Sequence, residues 1–241
     1  SSRAGVIDVP AERVKSMPAL LGEADLVKTL QQLPGVAVGT EGMTGLYVRG
    51  GGADENLYLL DGNPVYHVNH LLGFFSAFNP DAIKNTRFYK GSFPAEYGGR
   101  LSSVVDVRMN DGNRQEYHGN ISVGLLSARA NLEGPIVKDR SSFNVSVRRT
   151  WLDLITGTAL AIINKNSDTK ESFGYHFFDI NAKVNHSFSE RSRAYLSFYM
   201  GQDAFRQGSK EKHEDSDDMF LWRWGNLIGS AGWNYVFGQK L

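Results

Sequence analysis

The sequence predicts an α+β domain followed by antiparallel transmembrane β-barrel strands, about six of them, too few to close a barrel. Three observations predict this. The glycine-rich first half mixes one helical apolar period with short strand-like runs. The second half alternates apolar and polar residues with period two, and the connections between its strands alternate between short and long.

In the first half, Asp25 to Leu33 places Leu26, Leu30 and Leu33 on one helical face, and Pro34-Gly35 stops that helix. Leu20 to Glu23 reads as the turn leading into it. Short strands are expected at Val36 to Val38, Leu46 to Val48 and Leu57 to Leu60, with turns at Gly50-Gly51-Gly52 and Asp61-Gly62. A short helix is expected from Asn79-Pro80-Asp81 through Lys84, then strands over Asn85 to Tyr89 and Val104 to Met109.

From Tyr117 the alternation takes over. Ile121, Val123 and Leu125 form an apolar face, as do Ala128, Ala130 and Leu132, then Phe143, Val145 and Val147. Phe178, Ile180, Ala182 and Val184 continue the pattern, followed by Ala194, Leu196, Phe198 and Met200, and by Leu227, Ala231, Trp233, Tyr235 and Phe237. Each run is close to the ~9 to 11 residues that cross a bilayer when tilted. Short turns fall at Gly134 to Arg140, Ser189 to Arg191 and from Gly238 onward, and long polar connections at Thr150 to Tyr175 and Ala204 to Asp218. That asymmetry belongs to outer-membrane barrels. Phe143, Phe188, Trp233, Tyr235 and Phe237 near the short turns would form one interfacial girdle. A soluble sandwich obeys the same period-two rule, but charge in mid-strand and the strict loop alternation favour the barrel. Six strands leave open edges that lipid cannot satisfy, so more chain is expected beyond Leu241.

Composition removes other classes. The 26 basic and 26 acidic residues cancel, so no field draws the chain to nucleic acid. Cysteine is absent, which removes disulfides, thiolate metal sites and cysteine nucleophiles. No signal peptide opens the chain, and the longest helical apolar candidate, Ala159 to Ile163, is far short of the ~20 residues a membrane helix needs. No nucleophile sits in a catalytic motif, so an enzyme is not expected.

Four ordered stretches resemble the plug domain of TonB-dependent outer-membrane receptors, in the flavour of the Bacteroidota members. They are Leu26 to Val36 (LVKTLQQLPGV), Leu46 to Gly51 (LYVRGG), Leu57 to Val65 (LYLLDGNPV) and Tyr97 to Arg100 (YGGR); Leu132-Glu133-Gly134-Pro135 resembles the family's first periplasmic turn. The resemblance implies a plug over residues 1–115 and the N-terminal part of the transmembrane barrel over 116–241, six strands of about 22. It implies TonB-dependent active transport of a nutrient (a siderophore, cobalamin, a glycan or a peptide) across the bacterial outer membrane. The partners it implies are TonB with its inner-membrane motor, the nutrient, outer-membrane lipid and a surface lipoprotein. A non-transporting barrel subunit of an outer-membrane assembly or secretion complex is the alternative. The TonB box is not identifiable; Gly5 to Val9 would be its remnant or a linker.

If the plug is oriented as in the family, the stretch after Asp61-Gly62 climbs to the extracellular apex, where Tyr66, His67, Asn69, His70 and Phe74 would meet substrate. Two histidines without a third ligand make no metal site, and no cofactor is expected. The acidic run Glu214 to Asp218 falls in an expected extracellular loop, where carboxylate oxygens could bind calcium, and a solvated acidic loop is the favoured reading. Arg49 and Arg100 match plug arginines that, in the family, face acidic residues of the barrel wall and lock plug to barrel.

Overall fold

The computed structural model describes residues 5–17, 24–37, 45–91, 102–211 and 217–238. Arg100 and its motif, the turn at 20–23, Val38, most of the acidic run at 214–218 and the last three residues lie outside them.

The first domain is built on a five-stranded mixed sheet, order β1-β8-β9-β4-β5: β1 (Val6–Pro10), β4 (Asn56–Leu60), β5 (Asn63–Pro64), β8 (Ile83–Tyr89) and β9 (Ser103–Met109). The pair β4/β9 is parallel and the rest antiparallel. Helix α1 (Ala11–Ser16) follows β1, and α2 (Leu26–Gln31) covers the sheet. The Asp25 side chain accepts the Lys28 amide at 3.1 Å and so caps α2, and Gly35 ends the turn behind it at φ +81°. Val9, Val14, Leu26, Leu30, Leu46, Val48, Phe88, Val105 and Val107 are buried together. Full burial of such side chains stabilises by about 1.5–3 kcal/mol each. Two-residue ladders β2 (Val36–Ala37) with β3 (Tyr47–Val48) and β6 (Asn69–His70) with β7 (Phe75–Ser76) complete the domain.

Two expectations change here. Gly5 to Val9 is neither free remnant nor linker: Val6 to Pro10 pair residue by residue with Tyr89 to Asn85 as the sheet's outer strand. The helix expected through Lys84 shrinks to a 3-10 turn at Pro80–Ala82. Asn79 caps the Asp81 amide, but Ile83 and Phe88 alternate into the core, and strand burial overrides the local helix start.

The second sheet is an antiparallel meander of six strands among the described residues: β10 (His118–Val123), β11 (Ser127–Val137), β12 (Ser141–Thr150), β13 (Thr169–Ser189), β14 (Ser192–Glu211) and β15 (Asp217–Tyr235). Its polar face is the buried one. Asn144, Ser146, Arg148, Asp179, Asn181 and Lys183 are buried against the first domain, whereas Ile121 is 81% exposed, Leu196 66% and Leu227 72% on the other side. A soluble sandwich hides its apolar face; this sheet displays it, as a membrane barrel does. Near the short turns Tyr117 meets Phe143 and Trp233 meets Tyr235 with tilted rings, and Tyr235 meets Phe237 edge-on, so these aromatics form two patches.

The long connections differ from the expected polar loops. The stretch from Thr150 to Tyr175 folds into α3 (Leu152–Ile163) and the start of β13, and most of Ala204 to Asp218 is strand. At 21, 20 and 19 residues, β13, β14 and β15 run well past the length that crosses a bilayer. Because β12 stops at Thr150 while β13 continues, the upper edge of β13 would have bare backbone groups. Helix α3 covers it. Thr156 Oγ1 donates to the Phe173 carbonyl at 3.2 Å, and the Asn164 amide group both donates to the Glu171 carbonyl at 2.6 Å and accepts its N–H at 3.0 Å. Asn164→Ala is expected to cost the local opening of this edge about 1–2 kcal/mol, seen as faster hydrogen exchange at Glu171 with the rest of β13 unchanged.

Candidate functional site

The region where chemistry concentrates is the buried boundary between the first domain and the polar face of the sheet. Alternation puts Arg148, Asp179 and Asp203 on that face, and register brings them together: Arg148 lies opposite Asp179, and Phe177, two residues before Asp179, opposite Asp203. Into this charged patch the first domain inserts the hairpin β6–β7. Leu71 sits at its bend with φ +49°.

Arg148, fully buried, donates to Asp179 from Nε at 2.9 Å and from Nη2 at 2.6 Å, and Nη2 also donates to the Ser76 carbonyl at 2.8 Å. Its guanidinium lies 5.1 Å over the Phe177 ring. His70, only 3% exposed, stacks in parallel on Phe177 at 4.2 Å. Its Nδ1 is hydrogen-bonded to Asp203, and its Nε2 lies 3.3 Å from Asp179 Oδ2. The Tyr175 hydroxyl donates to Asp203 at 2.6 Å and accepts the Leu71 amide at 2.5 Å. On its other side the hairpin is tied to α2: Asp25 accepts the Ser76 amide at 2.6 Å, and Lys28 donates to the Phe74 carbonyl at 2.5 Å. Burial alone would lower the His70 pKa; the hydrogen bonds and charges of Asp179 and Asp203 outweigh it, and the imidazole is held above its ordinary value.

A small glycine-rich domain thus sits against the inner wall of a partial barrel. Residues 6–105 match the family model described as TonB-dependent Receptor Plug Domain. This stretch is a TonB-dependent receptor plug. Solved structures agree on the fold of plug and strands together. The siderophore receptor PirA from Acinetobacter baumannii superposes with a TM-score of 0.55 at 16% identity, over 94% of this chain and 40% of that one. The ferric enterobactin receptor PfeA of Pseudomonas aeruginosa gives 0.58 at 16% identity, over 95% and 42%. The outer membrane transporter YddB from Escherichia coli gives 0.56 at 10%, over 92% and 39%. The chain therefore spans about 40% of the length of the structures it matches. No curated protein matches it.

Nearer the short turns a second cluster joins plug to barrel with opposite polarity. Lys183 of β13, buried, is 3.4 Å from Asp61 and 3.0 Å from Asp111, and donates to the Met109 carbonyl at 3.2 Å. Asn185 donates to the Asp111 carbonyl at 2.5 Å, and Lys84 pairs with the Asp111 carboxylate at 2.7 Å. Burial opposes ionisation of Asp111, but Lys84 and Lys183 prevail and hold its pKa below the usual carboxylate value. Between the clusters Arg129 pairs with plug Asp81 at 2.8 Å. On β15, the Asn226 side chain brackets the His67 peptide, donating to its carbonyl at 2.8 Å and accepting its N–H at 3.3 Å, and Ser230 bonds Asn63.

The expected apical residues divide. Tyr66 is 84% exposed, His67 and Phe74 are also exposed, and Asn69 is half-buried. His70 points into the barrel wall. Arg49 is exposed at φ +49°, its guanidinium over Gly91. Among the described residues, charges that join plug to wall are Arg129, Arg148, Lys183, Asp179 and Asp203 on the strands, facing Asp81, Asp61, Asp111 and His70 on the plug. Their signal in the sequence is the charge in mid-strand at the parity of Asn144, Ser146, Asn181 and Asn185.

Proposed function

We propose that this chain is the plug and six wall strands of an outer-membrane transporter, in which the plug blocks the barrel until TonB pulls on it. The observation that carries the reading is the buried polar seam between plug and wall. It is rich in hydrogen bonds and ion pairs, beside apolar contacts of Phe75 with Phe177 and of Tyr199 with the plug core, and its polar links can break one at a time and reform in water. Tyr66, His67, Asn69 and Phe74 are the plug residues proposed to meet the nutrient, with His70 anchoring the segment that carries them; Arg49 and Arg100 are proposed to lock onto wall residues in the remainder of the barrel. The nutrient is a siderophore, cobalamin, a glycan or a peptide, and a surface lipoprotein is a candidate partner for the last two.

The test is uptake by the full-length receptor in its own outer membrane. A panel of ferric siderophores, cobalamin, oligosaccharides and peptides is offered to cells with and without TonB. Uptake of one class is expected to require both the receptor and TonB. Receptor-dependent uptake that persists without TonB sinks the energised mechanism, and a receptor deletion that leaves every class unchanged sinks transport.

A further inference from the structure

His70 carries an inference beyond the assignment of plug and barrel, though it rests on that assignment. Both of its ring nitrogens face carboxylates, Asp203 on β14 and Asp179 on β13. A neutral imidazole has one N–H, so it must turn a lone pair toward one of them; the imidazolium turns an N–H to each, hydrogen-bonded to Asp203 and within 3.3 Å of Asp179. Charge points the same way. Around the ring stand Asp179 and Tyr175 from β13, Asp203 and Tyr199 from β14, and Arg148 from β12, while Asp25 and Lys28 of the plug hold the hairpin's far side. Among the described residues the permanent cation bonded in this cluster is Arg148, which reaches Asp179 and the Ser76 carbonyl. A second positive charge on His70 balances the buried pair.

We propose that His70 is a proton site that latches the plug to the barrel: protonated, it fastens the hairpin Asn69–Ser76 to β13 and β14, and deprotonation releases the hairpin from that wall. The sign follows from linkage. The latched state holds the proton more tightly than a solvated histidine does, so the stabilisation is complete below the ordinary histidine pKa of about 6.5 and is lost as pH rises through the raised value. The hairpin follows exposed Tyr66 and His67 and itself carries exposed Phe74, so its release would change the surface these residues form.

The test is hydrogen–deuterium exchange on the full-length receptor, without TonB or nutrient, from about pH 6 to about pH 10. Protection of the peptide spanning Asn69–Ser76, corrected for intrinsic exchange, is expected to fall by about tenfold or more, while Asp106–Gly112 at the Lys183 cluster stays flat. In His70→Gln the step should vanish. If that variant fails to assemble, Asp203→Asn should move the step to lower pH. A flat wild-type profile, an equal step in His70→Gln, an unmoved step in Asp203→Asn, or a fall shared by Asp106–Gly112 overturns the latch. Uptake is not read in this experiment, so the latch can fail while transport stands, and the reverse.

Discussion

Arg148→Met is expected to loosen the plug hairpin Asn69–Ser76 at a cost of about 3–5 kcal/mol. The substitution removes the guanidinium whose two nitrogens both donate to Asp179 Oδ2, and it strips the Ser76 carbonyl of the Arg148 donor. Asp179 stays fully buried with its charge uncompensated except through His70. Such a penalty reflects the orphaned partner more than the strength of the pair, and that makes a sharp check available. The double variant Arg148→Met with Asp179→Leu removes both charges and fills the space, so it should recover much of the loss. Exchange protection of Phe75 and Ser76 in the full-length receptor reads both. If the single variant is neutral, or the double is no better than the single, the buried pair does not hold the hairpin.

Leu196→Arg is expected to destabilise the barrel by about 1–2 kcal/mol, between the cost of a guanidinium at the bilayer midplane and that at the interface, since Leu196 lies two residues inside the Ala194–Trp233 pair. Leu196 lies on the outward face of β14 and is 66% exposed, where a soluble sheet would accept arginine with little change. Position on the strand matters as much as face. Arg206 occupies the same face ten residues on, in the part of β14 paired with Leu221 beyond the end of β12. Arg206→Gln is therefore expected to be near neutral. Denaturant titration of the full-length receptor folded into phospholipid vesicles measures both; equal, small effects at 196 and 206 would contradict a lipid-facing β14.

Much of the architecture can be read from local pattern. The helix Leu26–Gln31 declares itself through Leu26, Leu30, Leu33 and its cap Asp25, and the six wall strands through alternation. Other elements lack such a signal. Strand β1 has five residues and gains its identity only by pairing with β8 some eighty positions away. Helix α3 reads as part of a long connection, because what calls for a helix there is the unpaired edge of β13, a consequence of β12 ending early. The hairpin β6–β7 is two residues on each arm, too short for any period to show.

The candidate site divides in the same way. Tyr66, His67, Asn69, His70 and Phe74 stand out as an aromatic and imidazole cluster in the sequence, and mid-strand charge marks the wall residues as a set. Which plug residue meets which wall residue is another matter. His70 and Asp203 are 133 positions apart, and Lys183 and Asp61 are 122 apart. The sequence alone determined that the second half carries two chemically distinct strand faces, because side chains on a strand alternate with period two wherever the strand lies. Only the tertiary structure decided that the polar face is the buried one and that His70 is enclosed by it. Burial and charge pairing depend on distances through space between segments far apart in the chain, and no local period encodes those distances.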